Sequence, residues 1–194
     1  MIRISCLCGA DIAGVLDSLA QLRIRVFREF PYLYDGSSEY EKRYLQTYLN
    51  SERSIVIMAW DGDQLIGAST GLPLADEETA FQQPFLQQGF DPASVFYCAE
   101  SVLLPEYRGQ GIYRTFFEQR EQHARQCGAA QAVFCAVIRA DDHPLKPQGY
   151  QPLNRVWSHF GYHLLPGFTT EYHWQDLGET TETAKLMQFY RKKL

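Results

Sequence analysis

The chain has 194 residues, 45% hydrophobic and 21% charged, the proportions of a soluble globular protein, which exclude disorder and collagen-like repeats. Its 18 Lys and Arg against 23 Asp and Glu leave a net charge of -5, so the positive field of a nucleic-acid binder is missing and no nucleic-acid partner is expected. Five cysteines without a CxxC pair make no disulfide framework, the apolar runs at 54–60 and 129–138 are shorter than the roughly 20 residues that span a bilayer, and no signal-peptide pattern opens the chain. The expectation is a cytoplasmic protein with no membrane partner, a monomer or homodimer.

In chain order, Ile2, Ile4, Cys6 and Cys8 alternate with Arg3, Ser5 and Leu7, the period of a strand, with Cys6 and Cys8 read as core thiols on one face. Asp11 then caps a helix in which Ile12, Val15, Leu16, Leu19, Leu22, Ile24 and Phe27 recur at helical spacing until Pro31. An aromatic loop leads to Ser38-x-x-Glu41, a capping box for a second helix through Leu45, Tyr48 and Leu49. Residues 54–60 and 64–72 read as a hairpin turned at Asp61-Gly62, and residues 75–90, interrupted by Pro84, as an inserted helix or a loop.

An apolar strand begins at Val95, meets Pro105, turns at two glycines and runs into a long helix ending near Cys127. A strand over 130–138, a loop rich in Pro and Gly, a short helix around 154–160 and strand-like runs at 162–165 and 169–174 follow. Residues 180–194, with Lys185, Arg191, Lys192 and Lys193 biased to their end, predict a terminal helix. With no repeat and no linker, the best partition is one α/β domain over residues 1–194.

The segment LLPEYRGQGIYRTFF places Gly109 and Gly111 where a strand gives way to a helix whose first N–H groups have no backbone partner. Such a turn binds an anion, because glycine permits positive φ and close backbone approach while the helix dipole adds partial positive charge. Arg108 and Arg114 add charged donors. On spacing alone, a plain tight turn explains the glycines equally well. A Walker A loop is excluded by Ile112 and Tyr113 after Gly111, and a dinucleotide fingerprint by Arg114 at the third glycine position.

Arg108-x-x-Gly111 after an apolar strand and a proline resembles the acyl-CoA pyrophosphate loop of the GNAT superfamily of N-acetyltransferases. The order of elements is similar over nearly the whole chain, and Trp157-Ser-His-Phe-Gly161-Tyr162 resembles that family's late helix. The resemblance implies a mixed, mostly antiparallel sheet flanked by helices, with acetyl-CoA as co-substrate. It implies that backbone groups of Val102, Leu103 and Leu104 pair with the pantetheine arm and that N–H groups of Gly109, Gln110, Gly111, Ile112, Tyr113 and Arg114 hold the pyrophosphate, with Arg108 and Asn154 as further cofactor contacts. Tyr113 departs from the family's usual Gly or Ala, so its ring must point away from the phosphates, where it can pack on Phe117.

Amine attack on a thioester needs a proton acceptor, and Glu100 is the only acid of its strand, where the family often carries its base. A buried structural acid is the other reading of Glu100. The family often protonates or hydrogen-bonds the departing thiolate with a Tyr where Trp157 stands here. Tyr150, Tyr162, Tyr97 and His159 are substitutes, Tyr150 being taken as the second catalytic candidate. Tyr32, Tyr34 and Asp35, in the loop that in the family borders the acceptor, form a candidate wall for a cationic amine, a small molecule or a peptide Lys or N-terminus. His159 and His163 have helical ligand spacing, but Gly161 lies between them and no metal is expected. The reading is direct acetyl transfer to a primary amine. The alternative is a non-catalytic acyl-CoA-binding regulatory module.

Overall fold

The computed structural model describes residues 1–194. Its strands are β1 (Ile2–Cys8), β2 (Ile55–Asp61), β3 (Gln64–Pro73), β4 (Val95–Leu103), β5 (Gln131–Val137), β6 (His163–Trp174) and β7 (Thr183–Lys193). They form one sheet in the order β1-β2-β3-β4-β5-β7-β6, antiparallel except for the parallel pair β4–β5. The helices are α1 (Leu16–Phe27), α2 (Ser38–Asn50), α3 (Thr79–Gln87), α4 (Ile112–Gln126) and α5 (Asn154–His159).

Parity along β3 and β4 sorts the helices between two faces. Thr70 and Glu100 face each other across the ladder and bond to Tyr48 and Tyr44 of α2, so α1 and α2 cover that face. Gly67 lies on the opposite face, where a Cβ would stand 3.2 Å from Phe116 of α4. Phe116, Phe117, Phe96, Phe85, Phe189, Tyr48 and Tyr162 are almost wholly enclosed between these layers. Each such side chain contributes about 2–3 kcal/mol of burial.

Several expectations are corrected. The C-terminal segment is the strand β7, not a helix. Lys185, Met187 and Phe189 are buried while Ala184 and Leu186 are exposed, a period of two that the basic run at the end obscured. Lys192 does not serve a helix dipole but pairs with Glu121 of α4 at 2.7 Å. The two runs at 162–165 and 169–174 are one strand, β6, with a register break between Leu164 and Thr169 that Gln188 clamps by donating to the Leu165 and Phe168 carbonyls.

Asp11 caps nothing, because residues Gly9–Val15 form a 3-10 turn before α1 begins. Ser37 rather than Ser38 is the N-cap of α2, accepting the Tyr40 N–H at 3.2 Å. Cys6 and Cys8 are exposed, on β1 at the edge of the sheet. Of residues 75–90, Thr79–Gln87 form a helix, α3, in spite of Pro84, after a 3-10 turn at Leu74–Asp76. No helix is long and apolar enough to cross a membrane.

Candidate active site

A bulge in β4 opens the site. Between the pairs Thr70↔Glu100 and Leu72↔Tyr97, β3 contributes Gly71 alone while β4 contributes Cys98 and Ala99, and the extra residue turns the strand. Gly71 permits it, for a Cβ there would lie 2.5 Å from the Phe96 ring and 3.1 Å from the Tyr97 carbonyl. Past the bulge β4 and β5 part company, their ladder covering only Val95 to Tyr97. A cleft of about 350 Å³ fills the gap, walled by Cys98 to Ser101 on one side and by Cys135 to Ala140 on the other.

The main chain of β4 presents donors to this cleft. Leu104 donates its N–H to Ile66, so by alternation Val102 also faces β3, while Ser101 and Leu103 turn their N–H groups toward the side that β5 has vacated. Of the three residues expected to offer backbone groups, Leu103 is therefore free to do so, and Ser101 joins it.

The strand then passes Pro105 to the turn, where Gly109 and Gly111 adopt φ of 77° and 83°. No protein acceptor takes the N–H groups of Gly109, Gln110, Gly111, Ile112 or Tyr113, although Arg114 and Thr115 both donate to the Gly111 carbonyl. Five consecutive donors at the mouth of α4 make a cradle for an oxyanion. Arg108 is partly engaged, donating to the Leu103 carbonyl at 3.3 Å and pairing with Glu29 at 3.0 Å. Tyr113 turns away from the cradle: its ring lies edge-on to Phe117 at 5.1 Å, and its hydroxyl accepts from the Trp157 indole.

Glu100 belongs to a buried ion trio that the sequence reading missed. Arg23 of α1 pairs through Nε with Glu41 of α2 at 2.5 Å and through Nη1 with Glu100 Oε2. Glu41 also accepts the Tyr34 hydroxyl at 2.8 Å, and Tyr44 donates to Glu100 at 3.3 Å. All three charged side chains are at most 6% exposed, and Glu100 Oε1 has no partner. Two carboxylates share the Arg23 guanidinium, and a second buried guanidinium, Arg120 of α4, donates through Nη1 to the Glu100 carbonyl at 3.0 Å with no carboxylate of its own. A signal was present: Arg23 falls on the apolar stripe of α1, four residues from Leu19 and Phe27, and Glu41 shares its stripe with Leu45 and Tyr48. A charge at such a position requires a buried counter-charge.

A second, smaller cavity of about 70 Å³ adjoins the first and shares with it Phe27, Tyr32, Ala99, Glu100 and Cys135. Its wall is aromatic, with Tyr44, Phe81, Tyr172 and Trp174 among its members. The loop supplying Tyr32 and Tyr34 is strapped to the turn between β6 and β7: Asp35 N–H donates to Gln175, Leu177 N–H to Leu33, and Arg139 joins Asp176 to the Pro31 and Tyr32 carbonyls at 2.7 Å each. Leu33 is buried at φ 54°, a left-handed conformation costing about 1–2 kcal/mol in a side-chain-bearing residue. The strap holds it.

The predicted site residues therefore divide. Glu100, Tyr150, Tyr113 and Asn154 line the large cleft, Tyr32 lines both cavities, and Tyr34 lines the small one. Val102, Leu104, Arg108, Gly109, Gln110, Gly111, Ile112 and Arg114 lie along β4, its turn and the first turn of α4, outside the enclosed space. Asp35 lines neither cavity; its exposed carboxylate pairs with Arg28 at 2.8 Å. Burial raises the Tyr150 phenol above its ordinary pKa, raises the Cys98 thiol, and pushes Cys135 up to about 12. Neither thiol supplies a thiolate nucleophile at neutral pH.

The profile of the Acetyltransferase (GNAT) family matches residues 17–146. Curated protein sequences give no match. Among solved structures, an acyl-CoA N-acyltransferase from Pseudomonas aeruginosa superposes with a TM-score of 0.62 at 18% identity, covering 99% of each chain. A polyamine N-acetyltransferase of Drosophila melanogaster gives 0.62 at 13% identity over 100% of both chains. The yncA protein of Salmonella typhimurium, with its cofactor acetyl-CoA, gives 0.55 at 12% identity over 100% of this chain and 94% of that one. At these identities the likeness is one of fold.

Proposed function

The chain belongs to the Acetyltransferase (GNAT) family of acetyl-CoA-dependent acyltransferases, and on that premise we propose that it moves an acetyl group from acetyl-CoA directly to a primary amine, with Glu100 as the proton acceptor. The observation that carries this reading is the unpartnered Oε1 of Glu100 on a wall common to both cavities. The large cleft takes the pantetheine arm, whose amide groups pair with the N–H groups of Ser101 and Leu103. The five free donors from Gly109 to Tyr113 hold the pyrophosphate. The amine enters from the small cavity.

In the transfer, the amine nitrogen forms a bond to the thioester carbonyl carbon and loses a proton to Glu100, directly or through one water. The carbon–sulfur bond then breaks, and the thiolate takes a proton from Tyr150, which stays a neutral phenol at physiological pH and lines the cleft. Burial of the Cys98 and Cys135 thiols as neutral groups supports direct transfer over an acyl-enzyme.

The deciding experiment replaces Glu100 by Gln. Calorimetry is expected to show acetyl-CoA binding retained, while kcat/KM for the amine falls by about 10²–10⁴. An unchanged kcat/KM and pH profile would remove Glu100 from the mechanism. One observation favours a regulatory acyl-CoA-binding module instead: Arg23 already occupies Oε2 of the only candidate base. That module binds acetyl-CoA and releases no CoA on any amine.

A further inference from the structure

Arg120 of α4 lines the large cleft, is 2% exposed, and has no part in the chemistry described above. Its Nη1 donates to the main-chain carbonyl of Glu100 at 3.0 Å, its Nε has no partner, and its guanidinium lies 5.0 Å from the centre of the Phe117 ring. The acid beside it in sequence, Glu121, is committed to Lys192 at 2.7 Å and to Arg125 at 3.7 Å. A guanidinium taken out of water with no acid of its own is costly unless its charge and its donors serve the groups around it.

The donors serve the backbone of β4. Past the bulge at Cys98 and Ala99 the strand has lost β5, and the segment bearing Glu100 is held in the sheet by β3 alone. The Glu100 carbonyl accepts from Ser69 Oγ of β3 at 3.1 Å as well as from Arg120, so the segment is tied to α4 too. The first turn of that same helix presents the free N–H donors of the phosphate cradle, and Arg120 stands about 12 Å further along its axis than Ile112. One rigid element therefore fixes where the carboxylate lies relative to the cradle.

The charge serves the carboxylates. Arg23 alone is shared by Glu41 and Glu100, and Arg120 brings the four buried charges to neutrality. The other ionisable groups around Glu100 supply no cation: Tyr34 of the aromatic loop, Tyr44 of α2, Tyr97 and Cys98 of β4, Cys135 of β5 and Tyr172 of β6 are all kept neutral by burial. Glu77, which acts on Tyr44 and Tyr97 from the 3-10 turn before α3, is an acid pushed up to about 7.

Resting on the reading of Glu100 as the proton acceptor, we infer that Arg120 is a positioning residue for the transfer: it ties the Glu100 main chain to the helix that carries the phosphate cradle, and its charge lets Glu100 and Glu41 both stay ionised around Arg23. Arg120 itself touches neither the amine nor the thioester.

The test uses the full chain, saturating acetyl-CoA, and whichever of spermidine, n-hexylamine and a lysine-containing peptide is turned over fastest. Arg120→Met is expected to lower kcat about 10–100-fold and to move the acidic limb of the kcat/KM profile up by about one pH unit. KM for acetyl-CoA is expected to change less than about 3-fold, since the cradle donors are untouched, and this reports that the variant is folded. Arg120→Lys keeps the charge and one donor, so the limb is expected to stay in place and kcat to recover to within about 5-fold of the wild type. On a Glu100→Gln background, Arg120→Met is expected to cost less than about 2-fold, because the group it positions is gone. The Glu77 titration is common to all these proteins and cancels in the comparison.

Wild-type kcat with an unshifted limb in Arg120→Met overturns the assignment and leaves Glu100 as the base. An Arg120→Met loss that persists in full beside Glu100→Gln also overturns it, for that loss is purely structural. Should Arg120→Met not fold, Arg120→Lys decides, and a shifted limb there overturns the assignment. Wild-type kcat/KM in Glu100→Gln alone, or no turnover of any of the three amines, overturns the transferase reading and this assignment with it.

Discussion

Glu77 is a buried acid without a cation, and it ties the stability of the fold to pH. The side chain, 7% exposed, sits between the 3-10 turn Leu74–Asp76 and α3, with Oε1 accepting only the Glu78 N–H at 2.9 Å. Desolvation, reinforced by the Glu78 carboxylate and opposed by that one hydrogen bond, pushes its carboxyl up from 4.5 to about 7. The folded pKa lies above the unfolded one, so between pH 4.5 and 7 the native state holds a proton that the unfolded chain has released. Stability is thus full below about pH 4.5, declines as pH rises, and levels off above about 7. A difference of about 2.5 units at 1.36 kcal/mol each amounts to about 3 kcal/mol.

Glu77→Gln removes the titration while keeping a side-chain oxygen for the Glu78 N–H. Urea unfolding at pH 4.5, 6 and 8 is expected to show the variant gaining on the wild type by about 3 kcal/mol between the first and last pH, roughly 6–12 °C in Tm for a chain this long. A stability difference that stays constant across that range would refute the reasoning, since it would mean that Glu77 titrates alike in both states.

Further expectations concern the site. Arg23→Met leaves Glu41 and Glu100 buried without their common cation, and denaturation is expected to show a loss of about 3–5 kcal/mol. Gly71→Ala places a methyl against the Phe96 ring and the Tyr97 carbonyl, so about 1–3 kcal/mol is lost, and acetyl-CoA affinity falls with it as the β4 bulge shifts. Gly111→Ala forces a Cβ into the left-handed region at about 1–2 kcal/mol. Because open space surrounds that Cβ, circular dichroism is expected to show the fold intact while calorimetry shows weaker acetyl-CoA binding.

What the chain declares locally concerns elements whose patterns are self-contained. Two glycines between an apolar strand and an amphipathic helix specify the turn at 109–111, because only its own φ angles and N–H groups are involved. The hairpin at Asp61 likewise follows from its turn and its flanking apolar runs. The end of the chain is different. Residues 183–193 mix β-branched, aromatic and basic side chains that suit a strand or a helix, and the choice falls to β7 because β5 and β6 each offer it a ladder.

The chemistry divides in the same way. Glu100 stood out as the single acid of an apolar strand, but its environment is assembled from Arg23, 77 positions away, and from Glu41 behind it. Neither the bulge that parts β4 from β5 nor the strap that seats Tyr32 is written in any one segment, for each depends on which strand lies alongside. Backbone conformation is a local property of residue type and can be inferred from order alone. The pairing of buried charges and the opening of a cleft are long-range solutions to satisfying polar groups in an apolar interior, and only the folded chain states them.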